Sequence, residues 1–308
     1  MEKVNYDIVV VGSGPAGLTA AIYALRAGKS VLVLEKSAFG GQVTYSPKIE
    51  NYPGAGVISG NELADRMLDQ VLGMGADVNL EEVTGIKVSE DGRVKTVVTE
   101  DGEHTCRAVI IATGVKHRLL GVPGEEEMIG EGVSFCAVCD GAFYKDKAVA
   151  VIGGGNSALQ EAVLLSETSS KVTVIQNLDY FTGEAKLVEI LQGKKNVEFI
   201  MGTTVKAILS QKGELTGIRI AKADTGEESI LACDGVFVAI GLVPSNGAFA
   251  DVAKLNDWGY FDSDEGCTTV TDGIYVAGDC RSKRIRQITT ATADGAVAAL
   301  AACRYLDE

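Results

Sequence analysis

The sequence predicts an α/β protein in which one strand–turn–helix pattern occurs twice. Its first copy begins with a β-branched run at residues 6–11 that enters a glycine-rich turn. A second copy begins near residue 147, again with an apolar strand and a glycine turn. Because such units form parallel sheets that bind dinucleotides, we predict an α/β fold with two Rossmann-like domains.

The first glycine turn contains the residues that a dinucleotide-binding turn needs, Gly12-Ser13-Gly14-Pro15-Ala16-Gly17. Glycine at 12 permits the tight turn, at 14 it lets the backbone approach a pyrophosphate, and at 17 it allows close packing of helix and strand. A helix through about Arg26 is expected, and the next strand ends in Glu35. An acid at that place accepts hydrogen bonds from a ribose.

The segment up to the second copy contains loops, a helix and hairpins. Gly40-Gly41-Gln42 and Asn51-Tyr52-Pro53-Gly54 are predicted loops, and a helix begins near Gly60 with Asn61 as its N-cap. Alternating residues from about 77 to 111 predict hairpins, which end in a strand that enters Ala112-Thr113-Gly114.

The second copy repeats the first closely. A strand at 147–152 enters the turn Gly153-Gly154-Gly155-Asn156-Ser157-Ala158, and a helix at 157–167 and a strand at 171–175 follow. Gln176 stands where the first copy has Glu35. Further strands are predicted near 197–200, 204–210, 215–221 and 232–239.

The end of the chain returns to the first pattern. A short apolar strand stops at the acid of Ala277-Gly278-Asp279, and Arg286-Gln287 then begins a small-residue helix that runs to about Tyr305. An acid at the end of a strand favours a second contact to a bound cofactor.

A cysteine pair, Cys136-Ala137-Val138-Cys139, lies between the two glycine turns. Two thiols at this spacing can close and reopen a small disulfide ring, and Asp140 directly after them provides a carboxyl group as a proton donor. The same spacing occurs in half of a zinc site, but no second pair exists and the two histidines, His104 and His117, are isolated. We therefore predict redox chemistry and no metal.

Composition limits the partners and the compartment. A formal net charge of −14 disfavours nucleic acid and anionic membranes, and no apolar run approaches the ~20 residues of a spanning helix. The N-terminus has no signal-peptide layout and the seven cysteines form no framework, so we expect a cytoplasmic protein. Four cysteines in apolar surroundings are predicted to be buried: Cys106, Cys233, Cys280 and Cys303.

The motifs quoted above, taken in order over nearly the whole chain, resemble low-molecular-weight thioredoxin reductase. The resemblance implies a homodimer in which the second nucleotide-binding domain, 117–245, is inserted in a discontinuous FAD-binding domain, 1–116 and 246–308. The FAD contacts that it implies are Gly12, Ser13, Gly14, Pro15, Ala16, Gly17, Glu35, Lys36, Gly41, Gln42, Asn51, Ala112, Thr113, Gly114, Asp279, Arg286, Gln287 and Ile288. In the second domain it implies an NAD(H)-type site formed by Gly153, Gly155, Asn156, Ser157 and Gln176.

The resemblance also implies a function, reduction of the disulfide of thioredoxin or a thioredoxin-like protein. Reduced flavin would pass electrons to the disulfide through Cys139, Cys136 would attack the substrate, and Asp140 would transfer the proton. His104 and His117 are expected at the surface, away from this site. A flavin dithiol oxidase of the same fold and a non-catalytic flavin redox sensor are the alternatives.

One motif of that family is missing. Its His-Arg-Arg run, which grips the 2′-phosphate of NADPH, is replaced by residues 176–178, and no Lys or Arg occurs between Lys171 and Lys186. Asp179 would repel a phosphate. The predicted donor is therefore NADH, bound through Gln176, or ferredoxin, docked on the basic cluster Arg281, Lys283, Arg284 and Arg286.

Overall fold

The structure, a computed structural model, describes residues 4–46 and 48–308. It divides into two compact units. The first unit contains the residues up to Thr44, Ile49–Lys116 and Val243–Glu308; the second contains Tyr45–Lys48 and His117–Leu242. Helices and strands are numbered below in chain order. Two short strands, β7 at Lys116–His117 and β16 at Leu242–Val243, lie at two of the places where the chain passes from one unit to the other.

The first unit is built on a seven-stranded sheet with the order β3-β2-β1-β6-β5-β4, in which β17 also pairs with β6. Its strands are β1 Tyr6–Val11, β2 Val31–Glu35, β3 Asp77–Leu80, β4 Val83–Val88, β5 Lys95–Thr99, β6 Glu103–Ile111 and β17 Ile274–Val276. Its helices are α1 Pro15–Arg26, α2 Gly60–Gly73 and α6 Ile288–Asp307.

The centre of this sheet is parallel and buried. β1 pairs in parallel with β2 and β6, so that Val10 lies beside Val33 and Ile110. These β-branched residues are fully buried because helices and loops cover the two faces. α6 crosses α1 at very short distance: a Cβ added at Gly295 would lie 2.2 Å from the carbonyl oxygen of Ala16. Small residues on α6 therefore allow the contact that joins its start to the glycine turn.

The second unit has a parallel sheet with the order β11-β10-β9-β15-β8 and an antiparallel sheet, β12-β13-β14. Its strands are β8 Val133–Ser134, β9 Ala148–Ile152, β10 Lys171–Ile175, β11 Val197–Ile200, β12 Thr203–Gln211, β13 Glu214–Lys222, β14 Glu228–Leu231 and β15 Gly235–Val238. Its helices are α3 Ala137–Asp140, α4 Asn156–Ser166 and α5 Ala185–Gln192.

The predicted fold class is confirmed, because both units have the parallel sheets and glycine-turn helices of the Rossmann pattern. The N-cap of α2 was assigned to Asn61 and this is wrong: Ser59 caps the helix, and its hydroxyl accepts the N–H of Glu62 at 3.1 Å. The four cysteines expected to be buried are buried, and so is Cys267. Within the described residues no helix is long and apolar enough to cross a membrane.

Candidate active site

The carboxyl ends of four parallel strands bring the predicted FAD residues of the first unit to one edge of the sheet. Gly12 follows β1, Glu35 ends β2, Ala112 follows β6, and Asp279 follows β17. In open parallel sheets this edge is where ligands bind. The strand order β2-β1-β6-β17 explains why residues far apart in sequence meet there.

The first glycine turn has no room for a side chain at Gly12 or Gly17. Gly12 has φ +107°, and a Cβ added there would lie 2.4 Å from the carbonyl oxygen of Ala112. Gly14 is the N-cap of α1 and has no side-chain capping bond, so the N–H groups of the first helical turn stay available to an anion. Gly41 closes over this turn, since its Cβ would lie 3.3 Å from the Cα of Gly14.

Glu35 lies beside the same turn. One oxygen, Oε2, accepts the backbone N–H of Ser13 at 3.0 Å and its hydroxyl at 2.8 Å. The other, Oε1, accepts the backbone N–H of Lys36 at 2.9 Å. These bonds hold the carboxylate at the end of β2, where the motif predicts a ribose contact.

Asp279 presents a buried oxygen, Oδ1, that makes no hydrogen bond to any residue the structure describes. Burial raises the pKa of this carboxyl, opposed by the nearby charges of Lys283 and Arg286. Its nearest cation, the Nζ of Lys283, lies 3.8 Å away. A buried oxygen without a hydrogen bond is costly, and a bound ligand would supply that bond. The start of α6 lies beside it: Gln287 is the N-cap, and its Oε1 accepts the Asn51 amide at 3.3 Å.

A buried amide that the sequence did not point to holds the site loops together. Thr113 donates its hydroxyl to the Oδ1 of Asn246 at 2.9 Å, and the Nδ2 of Asn246 donates to the carbonyls of Gly259 and Cys280, both at 2.9 Å. Asn246 has no motif around it. Only its contacts reveal that it fixes the Ala112–Gly114 loop.

The basic cluster that was predicted to dock ferredoxin does not form an exposed cationic surface. Arg281 and Lys283 are turned inward, and both donate to the Oδ2 of Asp294, at 2.8 and 2.9 Å. The guanidinium of Arg286 lies over the ring of Tyr260, 4.4 Å from its centre. Of the four cations only Arg284 is exposed and outside these contacts, because Asp294 draws two of them into the core.

In the second unit Cys136 and Cys139 form a disulfide, with 5.3 Å between their Cα atoms. Cys136 is the N-cap of α3, and its sulfur accepts the backbone N–H of Cys139 at 3.2 Å. This N–H would stabilise a thiolate at Cys136 once the disulfide opens, which suits an attacking thiol.

Asp140 is held on the same segment. Its Oδ2 accepts the hydroxyl of Ser134 at 2.6 Å, while its Oδ1 is buried and without a hydrogen-bond partner among the described residues. Burial raises the pKa of this carboxyl, and the Ser134 hydrogen bond opposes the rise. A carboxyl group with a raised pKa is the kind of group that can carry a proton near neutral pH.

His117 was expected at the surface, away from the cysteines, and this is wrong. Its ring stacks on Phe135, the residue before Cys136, with 4.6 Å between the ring centres. Burial lowers the pKa of His117 to about 4, so the imidazole is neutral at pH 7 and has no proton to spare as an acid. His104 is also covered; its Nε2 lies 2.8 Å from the Oε2 of Glu81.

The second glycine turn has a backbone similar to that of the first, but different side chains lie around it. Gly153 has φ +134°, Gly155 is the N-cap of α4, and Asn156 and Ser157 begin the helix. Gln176 is buried, and its amide is used locally: Nε2 donates to the carbonyl of Tyr180 at 3.2 Å and Oε1 accepts the N–H of Asn177 at 3.1 Å.

Two further features lie at this turn. The N–H groups of Thr182 and Gly183 donate to the carbonyl of Gly154 at 2.9 and 3.0 Å. The carboxylate of Glu184 accepts the Asn156 amide at 3.3 Å, which places a negative charge at the start of α4. Among the described residues no group of three or more His, Cys, Asp or Glu side chains could hold a metal ion.

Two dinucleotide-type folds and a disulfide with a neighbouring buried carboxyl define the class: a flavin- and nucleotide-type disulfide oxidoreductase. The family described as pyridine nucleotide-disulphide oxidoreductase matches residues 6–295. A thioredoxin reductase of Listeria monocytogenes is 42% identical over 100% of this chain and 96% of its own length. One from Bacillus subtilis is 40% identical, with the same coverage.

Solved structures agree. The crystal structure of thioredoxin reductase from Streptococcus pyogenes has a TM-score of 0.93 and 40% identity, and covers 98% of each chain. The chain therefore belongs to the pyridine nucleotide-disulphide oxidoreductase family, among its low-molecular-weight thioredoxin reductases. It is an oxidoreductase acting on sulfur groups, and its cofactor is FAD.

Proposed function

We propose that the protein reduces the disulfide of thioredoxin or a thioredoxin-like protein by exchange with Cys136 and Cys139. The observation that supports this most directly is the disulfide on α3, with Asp140 on the same segment and the Cys139 N–H on the sulfur of Cys136. Cys136 is the attacking thiol and Asp140 transfers the proton. Curated relatives at 40–42% identity carry the name thioredoxin reductase, which supports this substrate.

We assign FAD binding to the first unit. Three features together fit a dinucleotide with a pyrophosphate and two further polar contacts: the uncapped first turn of α1, the Glu35 carboxylate, and the Oδ1 of Asp279, which makes no hydrogen bond to the described residues. When bound, FAD supplies two-electron transfer between a donor and the disulfide. The homodimer implied by the family belongs to the same proposal.

Gly12→Ala is expected to yield protein without FAD and with lowered stability, because the new Cβ would meet a backbone oxygen at 2.4 Å. Gly28→Ala is the matched control: Gly28 has φ +74° but nothing lies within 4 Å of its added Cβ. The control should lose only about 1 kcal/mol, the cost of the left-handed backbone. Flavin content of the purified variants and thermal unfolding measure both effects. Normal flavin content in Gly12→Ala would contradict the assignment.

We propose that the electron donor is not NADPH but NADH or ferredoxin. Residues 177–179 at the end of β10 are exposed and include no cation. The contacts of Gln176 with its own loop weaken the proposed ribose contact, and the inward-facing Arg281 and Lys283 weaken the proposed ferredoxin surface. The missing cations after β10 argue against NADPH, whether the donor is NADH or ferredoxin.

Anaerobic titration of the oxidised holoenzyme with NADPH, NADH and reduced ferredoxin, followed by flavin absorbance, tests the donor. Addition of oxidised thioredoxin to the reduced enzyme then tests the substrate. A reductase should reoxidise with thioredoxin faster than with air. A dithiol oxidase would reoxidise with air alone at the turnover rate, and a redox sensor would show no turnover with either.

A further inference from the structure

Glu161 is a buried carboxyl group that contacts the cysteine segment from the neighbouring helix. It lies on α4, where the backbone N–H of Ala137, the residue directly after Cys136, is near enough to lower the pKa of its carboxyl. One of its oxygens, Oε2, is buried and has no hydrogen-bond partner within residues 4–46 and 48–308. Neither the packing of α4 nor the proposed reaction accounts for an acid here.

Asp140 is the last residue of the four-residue helix α3, which begins at Ala137. Its Oδ2 is bound to Ser134, and its Oδ1, like the Oε2 of Glu161, is buried and makes no hydrogen bond to the described part of the chain. If both carboxylates were ionised, each would keep one buried oxygen without a hydrogen bond, would carry a desolvation cost and would repel the other. The pair is therefore expected to hold a proton at neutral pH and to titrate as a unit.

The other ionisable groups near Asp140 and Glu161 indicate that the proton of this pair lies on Glu161. Tyr144, in the turn after α3, is itself protonated, since burial raises its pKa to about 12. On the elements that pack against α4, Lys171 of β10 pairs with Glu198, and α5 carries Lys186 and Glu189. Burial raises the pKa of Glu161 to about 8, the Ala137 N–H opposes this rise, and the charge of Asp140 adds to it.

We propose that Glu161 stores the proton that Asp140 delivers to the cysteine pair. Glu161 acts through Asp140, so it is a positioning residue for the proton and not a catalytic one. This inference rests on the proposed role of Cys136 and Cys139 as the reacting pair.

The step balances with the electrons that the reductase activity supplies. Two electrons break the bond between the two sulfur atoms. The proton held by Glu161 passes to Asp140 and from there to one sulfur, while the other sulfur remains a thiolate. Asp140 is then ionised again, and Glu161 recovers a proton from water. No further oxidant or reductant is needed.

The test is the pH dependence of thioredoxin reduction by the holoenzyme and by Glu161→Gln. Glu161 can give its proton only while protonated, so kcat of the wild type should fall as pH rises through about 8. Gln keeps the shape and can still accept the Ala137 N–H, but it has no proton to give. The variant should lose about tenfold to a hundredfold in kcat at pH 7, the range for a proton-transfer group, and the fall near pH 8 should disappear.

Glu167→Gln is the matched control, because Glu167 lies just beyond the end of α4 and pairs with Lys194 on the surface. It should leave the rate and the fall near pH 8 unchanged. A Glu161→Gln variant that is slower but keeps the fall near pH 8 has lost packing only, and that result overturns the proposal. Loss of all activity in Cys136→Ser is a separate result that tests the proposed function itself.

Unfolding provides a readout that does not depend on activity. A carboxyl with its folded-state pKa raised contributes stability that is fully present below its unfolded pKa of about 4.5. This stability is lost progressively as pH rises to about 8. Between pH 5 and pH 8 the Tm of the wild-type holoenzyme should therefore fall relative to that of Glu161→Gln. Parallel Tm curves would show that Glu161 holds no proton and would overturn the proposal.

Discussion

Cys136→Ser is expected to abolish thioredoxin reduction while the protein keeps its FAD and still accepts electrons into the flavin. Exchange requires a sulfur nucleophile that can form a mixed disulfide, and a serine hydroxyl cannot form one. A nucleophile that acts as a unit with its partners typically accounts for at least about a thousandfold in rate. The residues assigned to FAD lie in the first unit, whereas Cys136 lies in the second.

Cys303→Ala is the control for this experiment. Cys303 is a free thiol on α6 in the first unit, and it is buried among apolar residues. Its removal should leave a small cavity and an almost unchanged rate. The disulfide itself can be tested on the wild type: in the denatured, unreduced protein, a thiol assay should detect two fewer free thiols than the chain has cysteines, which is seven. Turnover by Cys136→Ser at the wild-type rate would exclude exchange through this pair.

Most of the fold could be predicted from the sequence because its signals are local. Buried parallel strands such as β1 and β10 are short β-branched runs, and each glycine turn follows its strand directly. The predicted edge of the first sheet also follows from local patterns, since Glu35 ends β2 and Asp279 comes shortly after the end of β17. Parallel pairing then brings these ends together without any long-range signal in the sequence.

The parts that sequence reasoning missed depend on contacts between distant segments. Asn246 lies outside every motif, and only its bonds to Thr113, Gly259 and Cys280 reveal its role. A basic cluster in the sequence gave no sign that Asp294, on α6, would neutralise two of its members. His117 and Phe135 are far apart in the sequence, so only the folded structure shows that their rings stack.

The second glycine turn shows why a fingerprint does not by itself establish a ligand. The strand, turn and helix follow the pattern, yet the residues that would grip a phosphate lie beyond the motif, after β10. Here those positions are neutral or acidic, and Glu184 adds a carboxylate at the start of α4. The backbone thus preserves a nucleotide-type fold, while the loop after β10 carries no cation for a 2′-phosphate.

NADPH is therefore expected to be a poor donor with no advantage over NADH. Each charge-assisted hydrogen bond to a 2′-phosphate contributes about 1.5–3 kcal/mol, or roughly one to two decades of affinity. Residues 176–181 include no arginine or lysine to form such bonds, and Asp179 is exposed there. NADH avoids the penalty because its ribose carries no phosphate.

The double variant Asn177→Arg, Leu178→Arg restores two cations at exposed positions after β10 and should improve kcat/KM for NADPH by at least about tenfold. NADH kinetics of the same variant should change little, since the new charges have no phosphate to meet. Asp224→Arg, on the exposed turn between β13 and β14, controls for net charge and should favour neither nucleotide. If the wild type already uses micromolar NADPH more efficiently than NADH, this unit binds the phosphate by other groups and the proposed donor is wrong.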